Sequence, residues 1–362
     1  MLEEFYNDDI KAIDARFDAQ KIAFAPIIFQ VSKCMIDFNI LKIIEEAGDA
    51  GITEEDILKK VNLSSYALST LLELSLGLSL IKIVKDSNPY KYILGKTGFF
   101  LINDNLTRVN INFVNDICYK GMFYLNDSLK NSKPEGLKVF GDYETIYKGL
   151  SSIPESDRKS WIDFDNYYSD GCYESSLPII FKKSRKNIMD IGANTAKFSI
   201  SALKYNNDVR CSLVDLEGQI KLAKKNIDDN NFSSRVEYFP MNILEEENKL
   251  PKNCDVIWMS QFLDCFSIEQ IKLIMRKVKE VSDKDTDIFV LEPLWDKQKY
   301  ISSAFSIQAT SLYFTAIANG NSKMYPYKLL VDTIEEEGFK LVNEYHRIGK
   351  TYHSLLNFKL KI

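Results

Sequence analysis

The sequence is poor in histidine, with two in 362 residues, His346 and His353, both near its C-terminal end. That scarcity restricts any mechanism that needs an imidazole base. The six cysteines, at positions 34, 118, 172, 211, 254 and 265, are scattered and form no C-x-x-C pair. Neither structural zinc nor a disulfide framework is expected, so no metal is assigned and the thiols read as reduced and cytosolic. No apolar run reaches the ~18–20 residues that a membrane span needs. Residues 1–9 are acidic, the reverse of a signal peptide, and the expected location is the cytoplasm. The net charge of −5 argues against nucleic acid as the main partner. What is present is ordinary for a soluble chain, 45% hydrophobic and 27% charged residues, enough to bury a core unaided. The length suggests two domains, or one large domain with an appendage.

Residues 1–25 read as a helix, and the apolar run from Pro26 to Ile44 has a helical period. Thr53 followed by Glu54, Glu55 and Asp56 is a cap with acids in the first turn, hence a short helix. A further helix is expected from Tyr66 to Leu76, then strands at 80–84 and 90–94 joined by a turn. Three helices and a hairpin make a winged helix. The helix at the recognition position carries no Lys or Arg, and residues 27–105 hold eight Lys against ten Asp or Glu. DNA affinity rests on cationic contacts to phosphate, so these apolar faces fit a second subunit better than DNA. Helices are expected around 109–129 and 143–150. The aromatic cluster from Trp161 to Gly171 reads either as core or as a wall that closes over a cationic cofactor.

The chain is organised around residues 187–198, where a buried strand ends in Asp190 and meets Gly192 and then a helix. A strand that runs into a glycine turn and a helix start is where a Rossmann-like sheet holds a cofactor. Gly192 lets the backbone approach a ligand with no Cβ in the way. The second and third glycines of G-x-G-x-x-G are replaced by Asn194 and Lys197, which disfavours a pyrophosphate cradle. A D-x-G-x-N pattern fits a cofactor with adenosine and no phosphates. From 187 onward strands are expected at 188–191, 210–215, 236–240, 255–260, 287–292, 340–346 and 353–361, with helices between most of them. This alternation implies a mostly parallel sheet. The four-residue link 348–351 makes the last two strands a hairpin, so the final strand is antiparallel.

These residues resemble the plant-type small-molecule O-methyltransferases and their bacterial relatives of the hydroxyneurosporene type. The resemblance spans most of the chain. It is carried by Thr53–Leu58, Leu71–Leu74, Tyr92–Gly98, Leu125–Lys133, Gly141–Tyr147, the stretch around Gly192, Leu213–Glu217, Val290–Pro293 and Glu337–Phe339. It implies an α/β fold, a Rossmann-like methyltransferase sheet with a terminal antiparallel hairpin, behind a helical, winged-helix dimerisation domain. The expected division is a dimerisation domain over 1–105, a helical lid over 106–180 and a catalytic domain over 181–362.

The resemblance also implies S-adenosylmethionine (SAM) as cofactor and assigns residues to it. Asp190, Gly192, Ala193 and Asn194 form the loop at its methionine end. Asp215, with Leu216 beside it, accepts from the ribose hydroxyls, unless it is a solvent-facing acid at a strand end. Asn242 stands where the family has an aspartate that reads the adenine amino group, and its carbonyl can accept the same bond. Ile243 is an apolar plate for the base, and Ser260 and Gln261 line the methionine end. The family's general-base histidine is replaced by Asp264. This acid could act as base if burial raises its pKa, could orient the acceptor, or could cap the following helix. Glu292 matches one of two acids that flank the family base, and the second falls near Met324. Tyr325 is a substitute donor. Tyr168, Phe305, Tyr313 and Asn319 are expected in the pocket wall, although 304–318 also reads as plain core.

The expected function is methyl transfer from SAM to a small aromatic or polyene-like secondary metabolite, with oxygen as first acceptor. The missing histidine keeps carbon methylation, or a SAM-dependent decarboxylation or hydroxylation, open. The expected partners are the small-molecule acceptor and a second copy of the chain.

Overall fold

The computed structural model describes Phe5, residues 8–150 and residues 152–361. It divides into two compact units, with the break between Asp116 and Ile117, so the segment 117–180 belongs with the sheet that follows it.

The first unit opens with α1 (Ala12–Ala23), and the remainder of the helix expected over 1–25 includes residues 1–4, 6 and 7, which lie outside the described residues. The single helix expected from Pro26 to Ile44 is two, α2 (Ala25–Asp37) and α3 (Ile40–Glu46), because Asn39 takes a left-handed φ of 57°. Asparagine tolerates that conformation better than most side chains. After β1 (Ile52–Thr53), the Thr53 hydroxyl accepts from the Asp56 amide at 3.2 Å and starts α4 (Glu54–Leu58). Ser64 caps α5 (Ser65–Gly77) in the same way. Strands β2 (Ile81–Ile83) and β3 (Lys91–Leu94) pair with β1 in the order β1-β3-β2, and α6 (Lys96–Asn103) and α7 (Asn105–Phe113) complete the unit. Met35, Leu41, Ile44, Ile57, Leu68 and Ile81 form its core. By contrast, α1 buries no residue, although Ile13, Phe17 and Ile22 lie along it, 69%, 50% and 76% exposed.

The helical stretches expected around 109–129 are present: α7 passes into a π-helical turn (Val114–Cys118), a 3-10 turn (Gly121–Tyr124) and then α8 (Leu125–Asn131). A short α9 (Ile146–Gly149) precedes α10 (Glu155–Ile180), whose 26 residues contain the whole aromatic cluster. The sheet and its helices follow in alternation: β4 (Asn187–Ile191), α11 (Lys197–Tyr205), β5 (Arg210–Asp215), α12 (Glu217–Asp229), β6 (Val236–Pro240) and β7 (Val256–Ser260). Then come α13 (Ile268–Val281), β8 (Asp287–Glu292), α14 (Ile301–Tyr313), α15 (Tyr327–Glu336), β9 (Phe339–Ile348) and β10 (His353–Leu360).

The strand order is β6-β5-β4-β7-β8-β10-β9, parallel from β6 to β8, with β10 antiparallel to both β8 and β9. Side chains along β4 alternate between two helical layers. Met189 and Ile191 pack with Ile271 and Ile274 of α13 and Leu330 and Ile334 of α15. Ile188 packs with Leu177 and Ile180 of α10 and Leu203 of α11. On that side Trp258 stacks on Phe198 with ring centroids 3.9 Å apart, worth ~0.5–1.5 kcal/mol beyond the area buried. All six residues of β8 are buried, which places the end of that strand, Glu292, inside the protein. The chain order reverses between β4 and β7, so the carboxyl ends of these strands open a crevice.

Candidate functional site

A cavity of about 890 Å³ occupies that crevice, lined entirely by residues between Lys133 and Met324. Its first end is made by the turn after β4. Asp190 is buried and accepts a 2.6 Å hydrogen bond from the Ser199 hydroxyl. Burial pushes its carboxyl up to about 7. Gly192 has φ 76°, and a Cβ on it would stand 2.3 Å from the Phe262 ring. The sequence reading gave this glycine to the approach of a ligand; in the structure the protein's own aromatic ring fills the space. Asn194, also left-handed with φ 47°, links two acids. Its backbone N–H donates to Asp215 Oδ2 at 2.8 Å and its side-chain Nδ2 to Asp165 Oδ2 at 3.0 Å. The other oxygen of Asp215 accepts from the Leu216 amide at 2.7 Å, and Ala193 and Leu216 complete this wall. Asp215 is therefore a strand-end acid held in the cavity wall rather than one turned to solvent, and burial pushes it up to about 6.

Further along, Asn242 and the buried Ile243 line the cavity. The Asn242 carbonyl accepts from the Leu244 amide at 3.1 Å, which leaves one lone pair for a ligand. Ser260 Oγ and Gln261 Nε2, at the end of β7, are buried with no hydrogen-bond partner among the described residues. Unpaired buried polar atoms in a cavity wall are the signature of a ligand's contact points.

The second end is built on the turn 262–265. Glu292 Oε1 accepts from the amides of Phe262 (3.1 Å) and Leu263 (2.9 Å) and fixes the turn. Glu292 itself does not line the large cavity. Its Oε2 is buried and unpartnered, and burial together with the charge of Asp264 pushes its carboxyl well up. Asp264 faces the large cavity and is 4% exposed. Its recorded side-chain donor is the Cys265 thiol at 3.4 Å. Burial pushes Asp264 up to about 7, and repulsion from Asp165 acts in the same direction. Asp264 is not a helix cap: Ser267 caps α13, in a reciprocal pair with Gln270. Around the acid, the Tyr313 hydroxyl accepts from Trp161 Nε1 at 2.7 Å, and Asn319 Nδ2 donates to the Cys265 carbonyl at 2.8 Å. The Tyr147 hydroxyl is buried in the cavity wall beside the Cys265 thiol.

Two expected wall residues and the expected substitute donor lie elsewhere. Tyr168 is buried within α10 against Phe164 and Tyr167, and its carbonyl accepts from Thr351, so it is core. The residues of α10 that reach the cavity include Trp161, Phe164 and Asp165. Phe305 sits on the outer face of α14 and is 69% exposed. Tyr325 donates to the Phe266 carbonyl at 2.6 Å and lines a small void beneath the site with Asp264 and Glu292, so it offers the large cavity no proton. Neither histidine lines the cavity, and His353 is buried in the hairpin, its ring pushed down to about 3 by burial. Sequence reasoning missed Tyr147 and Asp165. The first lies in a stretch quoted only for its resemblance. The second was hidden among aromatic residues, where an acid on the buried side of a helix was the available signal.

Sheet order, terminal hairpin and crevice together define a Rossmann-like fold with a terminal antiparallel hairpin. The structure is similar to that of the S-adenosylmethionine-dependent methyltransferase SibL in its apo form, at 18% identity over 94% of this chain and 98% of that one, with a TM-score of 0.72. It is similar to the mitomycin 7-O-methyltransferase MmcR, at 12% identity over 96% and 98% of the two chains, with a TM-score of 0.70. The third is human N-acetylserotonin methyltransferase in complex with SAM, at 14% identity over 98% and 100%, with a TM-score of 0.66. Residues 16–88 match the Dimerisation2-like domain. No curated protein matches the sequence.

Proposed function

We propose that the chain is a SAM-dependent methyltransferase that acts on a small, aromatic acceptor, with oxygen as the first choice of methylated atom. The observation that carries this reading is a single cavity with Asp215 held by two backbone amides at one end and the buried acid Asp264 at the other. The residues present fit the cofactor. Asp215 keeps lone pairs for two ribose hydroxyls, Asn242 and Ile243 suit the adenine, and the unpaired Ser260 and Gln261 suit the methionine end. SAM, when bound, supplies an electrophilic methyl group on a sulfonium.

The chain's own part is alignment and proton removal. Trp161, Tyr313 and Phe314 wall the second end and hold a planar acceptor, and alignment of acceptor and methyl is a large share of the acceleration for in-line displacement. Asp264 takes the acceptor's proton. A carboxyl pushed to about 7 is a far better base than an ordinary one and is still available near neutral pH. Glu292 holds the turn that aims it. A second reading follows from the absence of histidine in the cavity wall: methylation at carbon, or a reaction that uses bound SAM without transferring its methyl.

Turnover with methyl-labelled SAM separates the two. Label in the product supports transfer, and the labelled atom identifies oxygen or carbon. Label that stays on SAM while acceptor is consumed rejects transfer. We further propose a cytoplasmic homodimer. The bare apolar side of α1 supports the second copy, since a helix of 12 residues that buries nothing is marginal alone. Light scattering at micromolar concentration tests it, and a single-chain mass would refute it.

A further inference from the structure

The acids of the first cavity end differ in how much of their accepting capacity the protein has already used. Asp215 has one backbone amide on each oxygen. Asp190 takes both the hydroxyl and the backbone amide of Ser199 and lies deep under the turn. Asp165 takes one bond, from Asn194 Nδ2 to its Oδ2, and no donor to its Oδ1 is recorded among the described residues. An ionised carboxylate offers about four acceptor positions, so Asp165 has the most left.

The cations near Asp165 do not satisfy it. Lys197 lines the same wall but pairs with Asp170 at 2.6 Å. Burial outweighs the attraction of Lys197 and pushes Asp165 up to about 6. The Asn194 bridge fixes its place: the same residue holds Asp215 by its backbone and Asp165 by its side chain, so the two acids stand one residue apart in the same cavity wall, within reach of one ligand.

Resting on the SAM reading above, we propose that Asp165 of α10 is the counter-charge for the ammonium group at the cofactor's amino-acid end. The pairing is a charge-assisted hydrogen bond in a partly dehydrated wall, where such bonds are strongest. It gives α10 a part in cofactor recognition, where the sequence suggested only aromatic closure.

The test compares two ligands by calorimetry on the full chain. S-adenosylhomocysteine carries the ammonium; 5′-methylthioadenosine keeps the nucleoside and thioether but lacks the amino-acid end. Asp165→Asn retains an oxygen for Asn194 and removes the charge. The expected result is a loss of about tenfold or more in affinity for S-adenosylhomocysteine, with methylthioadenosine changed less than twofold. Asp215→Ala weakens both, which separates the nucleoside contact from the ammonium contact. An equal loss of both ligands in Asp165→Asn makes the residue a tether for α10 and overturns the proposal, as does an unchanged affinity for S-adenosylhomocysteine. If the unsubstituted chain binds neither ligand, the cofactor reading itself falls and takes this inference with it.

Discussion

The two ends of the cavity use the same side chain for opposite purposes. Asp215 and Asp264 are both aspartates that burial pushes upward, to about 6 and about 7. Asp215 is met by two backbone N–H groups, donors that favour its charged form. Asp264 takes the Cys265 thiol and backbone amides of its own turn, and has a second acid, Glu292, close behind it. On the reading proposed above, one end holds hydroxyls and the other gains and loses a proton. What distinguishes the two is the second buried acid behind Asp264, not the number of donors.

The largest effect expected from a change at one end is on turnover. Asp264→Asn lowers the methyl-transfer rate by about 10²–10⁴-fold and leaves calorimetric SAM affinity within twofold. The rate of the unsubstituted chain falls as pH drops through about 7, where Asp264 takes up its proton, and the Asn variant loses that limb. A variant that keeps the limb would show that Asp264 only orients the acceptor. Gly192→Ala is the change that strikes both ends at once. It strains a φ of 76° and drives a methyl into the Phe262 ring, so a loss of about 2–4 kcal/mol in chemical denaturation is expected. Full stability in this variant would show that the ring moves aside without cost.

Asp215→Ala belongs to the first end alone. SAM affinity by calorimetry falls about ten- to a hundredfold, and an unchanged affinity would remove the cofactor placement. Asp190 gives a smaller effect. Its carboxyl has an ordinary value of 3.8 and reaches about 7 in the fold, so the folded state holds a proton that the unfolded chain has released between those values. Stability from this group is complete below the unfolded value and lost as pH rises toward 7, at about 1.4 kcal/mol per pH unit at most. Asp190→Asn, which stays neutral, should gain on the unsubstituted chain in thermal melts from pH 4 to 7 and hold that gain above. Tyr147→Phe is the mildest: the acceptor KM rises about fivefold, the equivalent of one ordinary hydrogen bond, with SAM affinity unchanged.

The first end was legible because it is local. Strand, acid, glycine and helix start lie within twelve consecutive residues, and Asp215 ends the next strand in the sheet. Period and punctuation reveal such a unit directly. The seven strands and the antiparallel hairpin were readable for the same reason. The second end is composite. It draws on 133–148, on α10, on the turn 262–266 and on 310–324, and no periodicity shows which face of each segment turns inward. So Tyr168 and Phe305, each on a helix with a cavity-lining face, fell on the wrong side, and Asp165 and Tyr147 were passed over. Asp264 does line the cavity, because it follows a strand end, where the fold fixes direction. Its rival reading as a cap failed three residues downstream, at Ser267.

The ring of Phe262 resting where Gly192 lacks a side chain has a consequence for how this protein can change. Phe262 precedes Asp264 by two residues in the same tight turn, so that turn is keyed into the loop after β4, to which the proposed function gives the cofactor. Remodelling the acid's turn to suit another acceptor would disturb cofactor binding as well, and most such changes would fail on that account. On the proposed reading, the segments 133–148 and 310–324 line the acceptor's end of the same cavity. Divergence in substrate choice is thus channelled into those two segments, while the floor of the crevice stays fixed.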